Sequence, residues 1–235
     1  MTASPSPLRW RLFANPQALA ERLAEHVANG LREAMVQRGR AVLAVSGGTT
    51  PRRCFERLSH ATIDWSRVVV TLVDERWVGE DSERSNARLV REHLLQNAAA
   101  AATFVPLYDA AYATPEAAQP ALEARLRALL PVDTLLLGMG GDGHFASLFP
   151  GGDRLAAGLD PAGSALLVPM RAPDAGEPRL GLSLAAIRRA RRCMLHIEGE
   201  AKRRVLERAD AGDARLPVHA LLQACAAFLP CYWCP

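Results

Sequence analysis

The sequence predicts an α/β fold built on a mostly parallel sheet with helices on both faces. Two observations carry this. Short apolar or β-branched runs alternate with helical repeats along the chain, the order that a parallel sheet with crossover helices requires. The unusual residues, glycines, hydroxyls and isolated charges, each follow one of those runs, where the carboxyl ends of parallel strands receive ligands. The chain has 235 residues, 49% of them hydrophobic, which is enough for a sizeable core and argues against disorder. There is no internal repeat and no long linker, so we expect one domain over 1–235, with residues 1–9 a loose Ser- and Pro-rich arm.

The elements follow in order. Asn15-Pro16 reads as an N-cap with proline at the first helical position, and Leu19, Leu23, Val27, Leu31 and Met35 repeat at helical spacing to about Arg38. Ala41 to Val45 is a short buried strand, and Pro51 opens a helix with Phe55 and Leu58 on its inner face. Val68 to Val73 is a β-branched strand, Asn86 to Leu95 a helix, Phe104 to Leu107 a short strand and Glu116 to Leu130 an Ala- and Leu-rich helix. Strands are expected at 132–137, 165–168 and 194–197, helices at 184–191 and 201–209, and a final strand from Phe228 to Trp233. The segment from Pro169 to Pro178 is the most loop-like interior stretch.

Composition narrows the function classes. No apolar stretch reaches the ~18 residues a membrane helix needs, and the N-terminus lacks a signal-peptide core, so a cytoplasmic protein with no membrane partner is expected. A net charge of +3 is too mild to imply nucleic acid and suits a small anionic ligand. The basic cluster Arg188, Arg189, Arg191 and Arg192 has no interleaved aromatics and reads as a solvated helix face. Five cysteines give no disulfide framework, and Cys231 and Cys234 read as residues of the terminal strand. His26, His60, His93, His196 and His219 lack metal-ligand spacing and read as structural or surface residues; no metal and no cofactor are expected. Only one of the 28 basic residues is lysine, Lys202, which singles out a position suited to a compact ammonium.

Four segments carry candidate chemistry. Gly138 to Pro150, GMGGDGHFASLFP, places Asp142 and His144 in a glycine-rich turn directly after an apolar strand. Ser46-Gly47-Gly48-Thr49-Thr50-Pro51 reads as an anion cradle: two glycines free backbone N–H groups, three hydroxyls add donors, and the helix begun at Pro51 supplies a positive dipole end. Asp74-Glu75-Arg76 ends an apolar strand with three charges, and Gly199 to Lys202 follows the strand at 194–197. Taken singly, each is equally a well-capped turn or a solvated strand exit, and Ser85-Asn86 reads as a helix cap. With parallel strands, all four segments converge on one cleft.

These residues resemble the 6-phosphogluconolactonases, relatives of glucosamine-6-phosphate isomerase/deaminase. The resemblance runs through SGGTTP at 46–51, DERWV at 74–78, SNARL at 85–89, GMGGDGHFASLFPG at 138–151, PRLGLS at 178–183 and GEAKRRVL at 199–206. It implies a Rossmann-like three-layer domain of the isomerase/transferase type, and hydrolysis of 6-phosphogluconolactone to 6-phosphogluconate in the oxidative pentose phosphate pathway. It further implies that Ser46, Gly47, Gly48, Arg179 and Lys202 hold the phosphate, with Thr49 and Asp74 counted in the substrate-binding set. His144 would be the general base, Asp142 its support, and Arg76 a neighbour of the substrate. The partner is then a phosphosugar lactone, and a monomer is expected. Phe145 stands where these lactonases often carry Thr.

Two other readings share these features. The isomerase/deaminases carry a Glu immediately before the proline of the His loop, where this chain has Phe149, and tend to have Tyr in place of Arg76. A non-catalytic sugar-phosphate sensor would keep the cradle without the acid and base, yet Asp142 and His144 are both present. A covalent route through Ser147 lacks a recognisable nucleophile elbow.

Overall fold

The computed structural model describes residues 8–173, 175–225 and 229–235. Seven strands form an entirely parallel sheet: β1 (Arg9–Leu12), β2 (Ala41–Val45), β3 (Val68–Leu72), β5 (Thr103–Val105), β6 (Thr134–Gly138), β9 (Cys193–Glu198) and β10 (Pro230–Cys234). Their order is β1-β10-β9-β6-β2-β3-β5. Three more strands, β4 (Asp74–Arg76), β7 (Leu167–Met170) and β8 (Arg179–Leu182), make a small antiparallel sheet in the order β4-β8-β7. The helices are α1 (Pro16–Arg38), α2 (Arg52–Ser59), α3 (Asn86–His93), α4 (Pro115–Arg127), α5 (Leu155–Leu159), α6 (Leu184–Ile187), α7 (Glu200–Asp210) and α8 (Pro217–Cys225).

Local signals account for the best-defined elements. Asn15 caps α1 by accepting from Ala18 N–H, and Gly39 closes it at φ 78°, the left-handed conformation that glycine adopts without a Cβ penalty. Every residue of β2 is buried, as expected for an inner strand covered on both faces, and α1 packs over β2, β6 and β10. The parallel sheet flanked by helices therefore agrees with the sequence reading.

Several expectations need correction. Arg9 is not part of a loose arm but the first residue of β1, which pairs with β10; residues 1–7 lie outside the described residues. An edge strand of four residues, RWRL, next to a Ser- and Pro-rich segment is too short for its alternation to declare it. The final strand starts at Pro230, and Phe228 lies outside the described residues. Asp74–Arg76 is not a strand exit: after β3, Val73 donates to Val45 O and accepts from Leu182 N–H, and the chain passes directly into β4 of the second sheet. Pro169, expected to open a loop, lies in β7, and the loop-like stretch ends at Arg179, which opens β8. The helix expected to run to Arg191 ends at Ile187, so the Arg cluster lies in the turn before β9, where Arg188 donates to Pro161 O and Arg192 pairs with Glu33. Cys231 and Cys234 are buried free thiols in β10, in line with the sequence reading. Among the described residues no helix is long and apolar enough to cross a membrane.

Candidate active site

The carboxyl ends of β2, β6 and β9 face the antiparallel sheet across a cleft. Its lining includes Ser46–Thr49, Asp74, Arg76, His144, Arg179 and Lys202, so nine of the ten residues nominated from the sequence share one wall-to-wall space. The tenth, Asp142, stands behind the imidazole, 2.6 Å from His144 Nδ1.

The turn after β2 is shaped by its neighbours. Ser46 N–H donates to Leu136 O, and Ser46 Oγ accepts from Gly138 N–H at 3.1 Å, fastening this turn to the end of β6. That leaves the Ser46 hydroxyl proton available to a ligand. Gly47 is required by a close approach: a Cβ there would lie 1.8 Å from Asn86 Oδ1. Gly48 has φ 91° and opens to solvent. On the far side Lys202, from the first turns of α7, donates to Thr50 Oγ1 at 3.4 Å. Burial holds the Lys202 ammonium below the ordinary lysine range, and Glu198 offsets this only in part.

The antiparallel sheet brings two guanidiniums together. Arg76 of β4 and Arg179 of β8 are direct cross-strand partners, a like-charge pairing that destabilises a sheet unless something compensates. Arg179 is almost fully buried, and desolvation, reinforced by the charge of Arg76, pulls its pKa down. Its guanidinium is held by Ala175 O at 2.6 Å and Glu177 O at 3.3 Å. Arg76 donates through Nη1 to Arg84 O, while its Nε is buried with no partner among the described residues. A buried donor without a partner, beside a second guanidinium, is suited to receive an anion.

Next to Arg76 in sequence, Glu75 organises the β4–α3 junction. Its carboxylate accepts from the backbone N–H groups of Arg76, Asn86 and Ala87 and from Ser85 Oγ. Burial pushes this carboxyl up to about 7 against the pull of those backbone donors. Ser85 does cap α3, accepting from Arg88 N–H, but Asn86 does more than the sequence suggested. It donates through Nδ2 to Asp74 O and lies against Gly47, tying the anion cradle to β4.

The His loop is folded tightly. Gly143 N–H donates to Gly140 O, Gly140 N–H donates to His144 O, and Gly143 takes φ 80°. Burial raises the Asp142 carboxyl, but hydrogen bonds from the His144 ring and backbone outweigh it and hold Asp142 below the ordinary aspartate range. Asp142 is therefore ionised at neutral pH and can only accept, so Nδ1 of His144 donates to it, and in the neutral imidazole the lone pair falls on Nε2. Beyond it, Ala146 and Ser147 both have positive φ, 49° and 59°, a strained turn of the kind found at functional sites. Ser147 Oγ donates to Asp74 Oδ2 at 2.5 Å.

Three residues of the site escaped the sequence reading: Asn86, Phe149, whose ring lies against His144, and His196. His196 was expected to be structural; it is buried, lines the cleft and meets Glu198 at 3.1 Å, with Nδ1 unpaired. Asn86 and His196 reach the cleft only where segments far apart in the chain meet; Phe149 is close to His144 in sequence, with the positive-φ turn at Ala146 and Ser147 between them, and nothing in the residue types announces that turn. Among the described residues no cluster of three or more His, Cys, Asp or Glu is arranged to hold a metal ion.

The chain resembles known proteins over nearly its whole length. The sequence profile of the glucosamine-6-phosphate isomerases/6-phosphogluconolactonase family matches residues 14–229. The chain is 48% identical to a 6-phosphogluconolactonase of Rhizobium meliloti, with 95% of this chain and 97% of the relative covered. It is 50% identical to a 6-phosphogluconolactonase of Mesorhizobium japonicum, covering 96% of this chain and 95% of that one. The crystal structure of a 6-phosphogluconolactonase from Shewanella baltica superposes with a TM-score of 0.92 at 40% identity, covering 97% of this chain and 98% of the other. A strand-end cradle, a paired-arginine wall and an Asp-supported imidazole thus occur here in a chain that belongs to the glucosamine-6-phosphate isomerase/6-phosphogluconolactonase family.

Proposed function

We propose that the chain hydrolyses 6-phosphogluconolactone to 6-phosphogluconate in the oxidative pentose phosphate pathway. The observation that carries this reading is the Asp142–His144 pair, with Nδ1 locked at 2.6 Å and Nε2 unengaged, in the same cleft as two facing arginines and Lys202. The first supplies a base; the second supplies an anion site.

A lactone is an activated ester, so a positioned base and a stabilised oxyanion suffice. His144 Nε2 takes a proton from water as the water oxygen bonds to the carbonyl carbon. Asp142 stabilises the imidazolium that results. Arg76, with its unpaired Nε–H, receives the charge of the tetrahedral intermediate. The ring C–O bond then breaks, and the departing ring oxygen takes the proton back from His144. The Ser46–Thr49 turn, Arg179 and Lys202 hold the phosphate, and Asp74, fixed by Ser147, completes the substrate-binding set. Phe149 in place of a carboxylate disfavours isomerase/deaminase chemistry, because a phenyl ring relays no proton.

The core is one continuous cluster, which supports reading the chain as a single domain. The site is complete within one chain, which supports a monomeric enzyme; we place it in the cytoplasm, where its substrate class is used. The test is a coupled assay with freshly generated lactone, corrected for spontaneous hydrolysis. General-base catalysis contributes ~10²–10⁴-fold, and His144→Ala is expected to lose that factor while still binding phosphosugar. Activity of His144→Ala within about threefold of wild type would overturn the assignment.

A further inference from the structure

Phe149 lies behind the cleft, against two of its lining residues, His144 and Arg179. Its ring is nearly buried, and its backbone is fixed by Gly152 N–H donating to Phe149 O at 3.0 Å. The His144 imidazole lies against that ring, centroids 4.2 Å apart and tilted by 37°. The Arg179 guanidinium lies over it as well, Cζ 5.5 Å from the centroid. Among the described residues no other ring meets both groups.

Each of the two polar groups is otherwise held from one side. His144 is tethered at Nδ1 by Asp142, and Arg179 by the carbonyls of Ala175 and Glu177. A hydrogen bond at one ring nitrogen still lets an imidazole pivot about that bond; a packed face removes the pivot. The negative face of an aromatic ring also attracts a guanidinium and favours an imidazolium over a neutral imidazole. The ring therefore serves the base at the moment it gains its proton, and serves the anion clamp throughout.

We infer that Phe149 is a positioning residue, a shared floor that fixes the His144 base and the Arg179 clamp at one separation and so matches the distance from reacting carbonyl to phosphate in the substrate. This rests on the lactonase reading above, and it adds a selectivity element: a substrate with both ends gains from the fixed spacing, and one without the phosphate gains only from the held base.

The experiment compares Phe149→Leu, which keeps apolar bulk without a π face, with Phe149→Tyr, which keeps the face. Each is assayed on the phosphorylated lactone and on unphosphorylated gluconolactone. Phe149→Leu is expected to lower kcat on both substrates about tenfold, the scale of a mispositioned catalytic group. It is expected to raise KM about fivefold for the phosphorylated lactone only. Phe149→Tyr is expected to recover most of both losses. Where Phe149→Leu does not accumulate as folded protein, Phe149→Met provides the same comparison. Equal losses in the Tyr and Leu variants, or a KM rise shared by both substrates, would show that the ring merely fills space and would overturn the inference. Normal wild-type turnover with Phe149→Leu within about twofold in kcat overturns this inference alone. Failure of the wild-type chain to hydrolyse the phosphorylated lactone overturns the lactonase reading, and this inference with it.

Discussion

Gly140 offers a perturbation that separates catalysis from folding. Its φ lies outside the left-handed region, so alanine meets no backbone penalty there. What stands in the way is the catalytic pair itself: an added Cβ would lie 2.2 Å from His144 Nδ1, 2.3 Å from Cε1 and 2.6 Å from Asp142 Oδ1. To reach ordinary contact the ring must retreat by roughly 1.2 Å, and a displacement of about 1 Å in a reacting group costs on the order of 10²-fold. The movement also breaks the 2.6 Å hydrogen bond that fixes the tautomer. The His144 side chain is 31% exposed and can swing into solvent, so stability is expected to change by less than about 1 kcal/mol. Gly140→Ala should therefore lower kcat by ~10²–10³ with little change in KM or melting temperature. Gly141→Ala is the control, because a Cβ there meets nothing within 4 Å. The coupled lactone assay and a thermal melt on both variants decide the matter. Gly140→Ala with activity within about threefold of Gly141→Ala would refute the claim that this space is kept clear for the imidazole.

Three further outcomes are expected. Lys202→Ala should raise KM about tenfold for the phosphorylated lactone and leave the unphosphorylated one unaffected, with Lys202→Arg recovering part of the loss; equal weakening of both substrates would show that Lys202 is not a phosphate ligand. Gly181→Ala should cost about 1–3 kcal/mol, because its Cβ would lie 2.2 Å from the Ala146 carbonyl oxygen and neither backbone can swing away; an unchanged denaturation midpoint would count against that packing. Glu75 titrates at about 7 in the fold against an ordinary value of 4.5, so it binds its proton more tightly folded than unfolded. Its contribution is therefore greatest below pH 4.5 and declines as pH rises through 7, by on the order of 1–3 kcal/mol in all. Denaturation at pH 5 and pH 8 should show that decline in wild type relative to Glu75→Gln, and a wild type that gains stability relative to the variant at pH 8 would contradict it.

What the sequence made legible follows from locality. The capped start of α1, the fully apolar β2 and the glycine turns after β2 and β6 are each written within a few residues, and they appear where expected. The convergence of Ser46, His144 and Lys202 required only that the strands be parallel, and they are. The antiparallel sheet was not legible, because a strand such as Asp74-Glu75-Arg76 has the composition of a loop and exists only through pairing with β8. The same reason hid the opposition of Arg76 and Arg179, the seating of Asn86 on Gly47 and the approach of Arg179 to Phe149: each is a meeting of distant segments.

The opposed arginines give anion binding a second effect, on the stability of the fold. An unliganded cleft keeps two cations side by side, with only Asp74 and Glu177 nearby to soften the repulsion. A bound phosphate relieves it, and a ligand that binds the folded chain alone stabilises it in proportion to the logarithm of its concentration over Kd. Saturating phosphosugar should therefore raise the melting temperature of the chain if it occupies the proposed site. The repulsion that suits the site to an anion thus also links occupancy of the site to the stability of the fold.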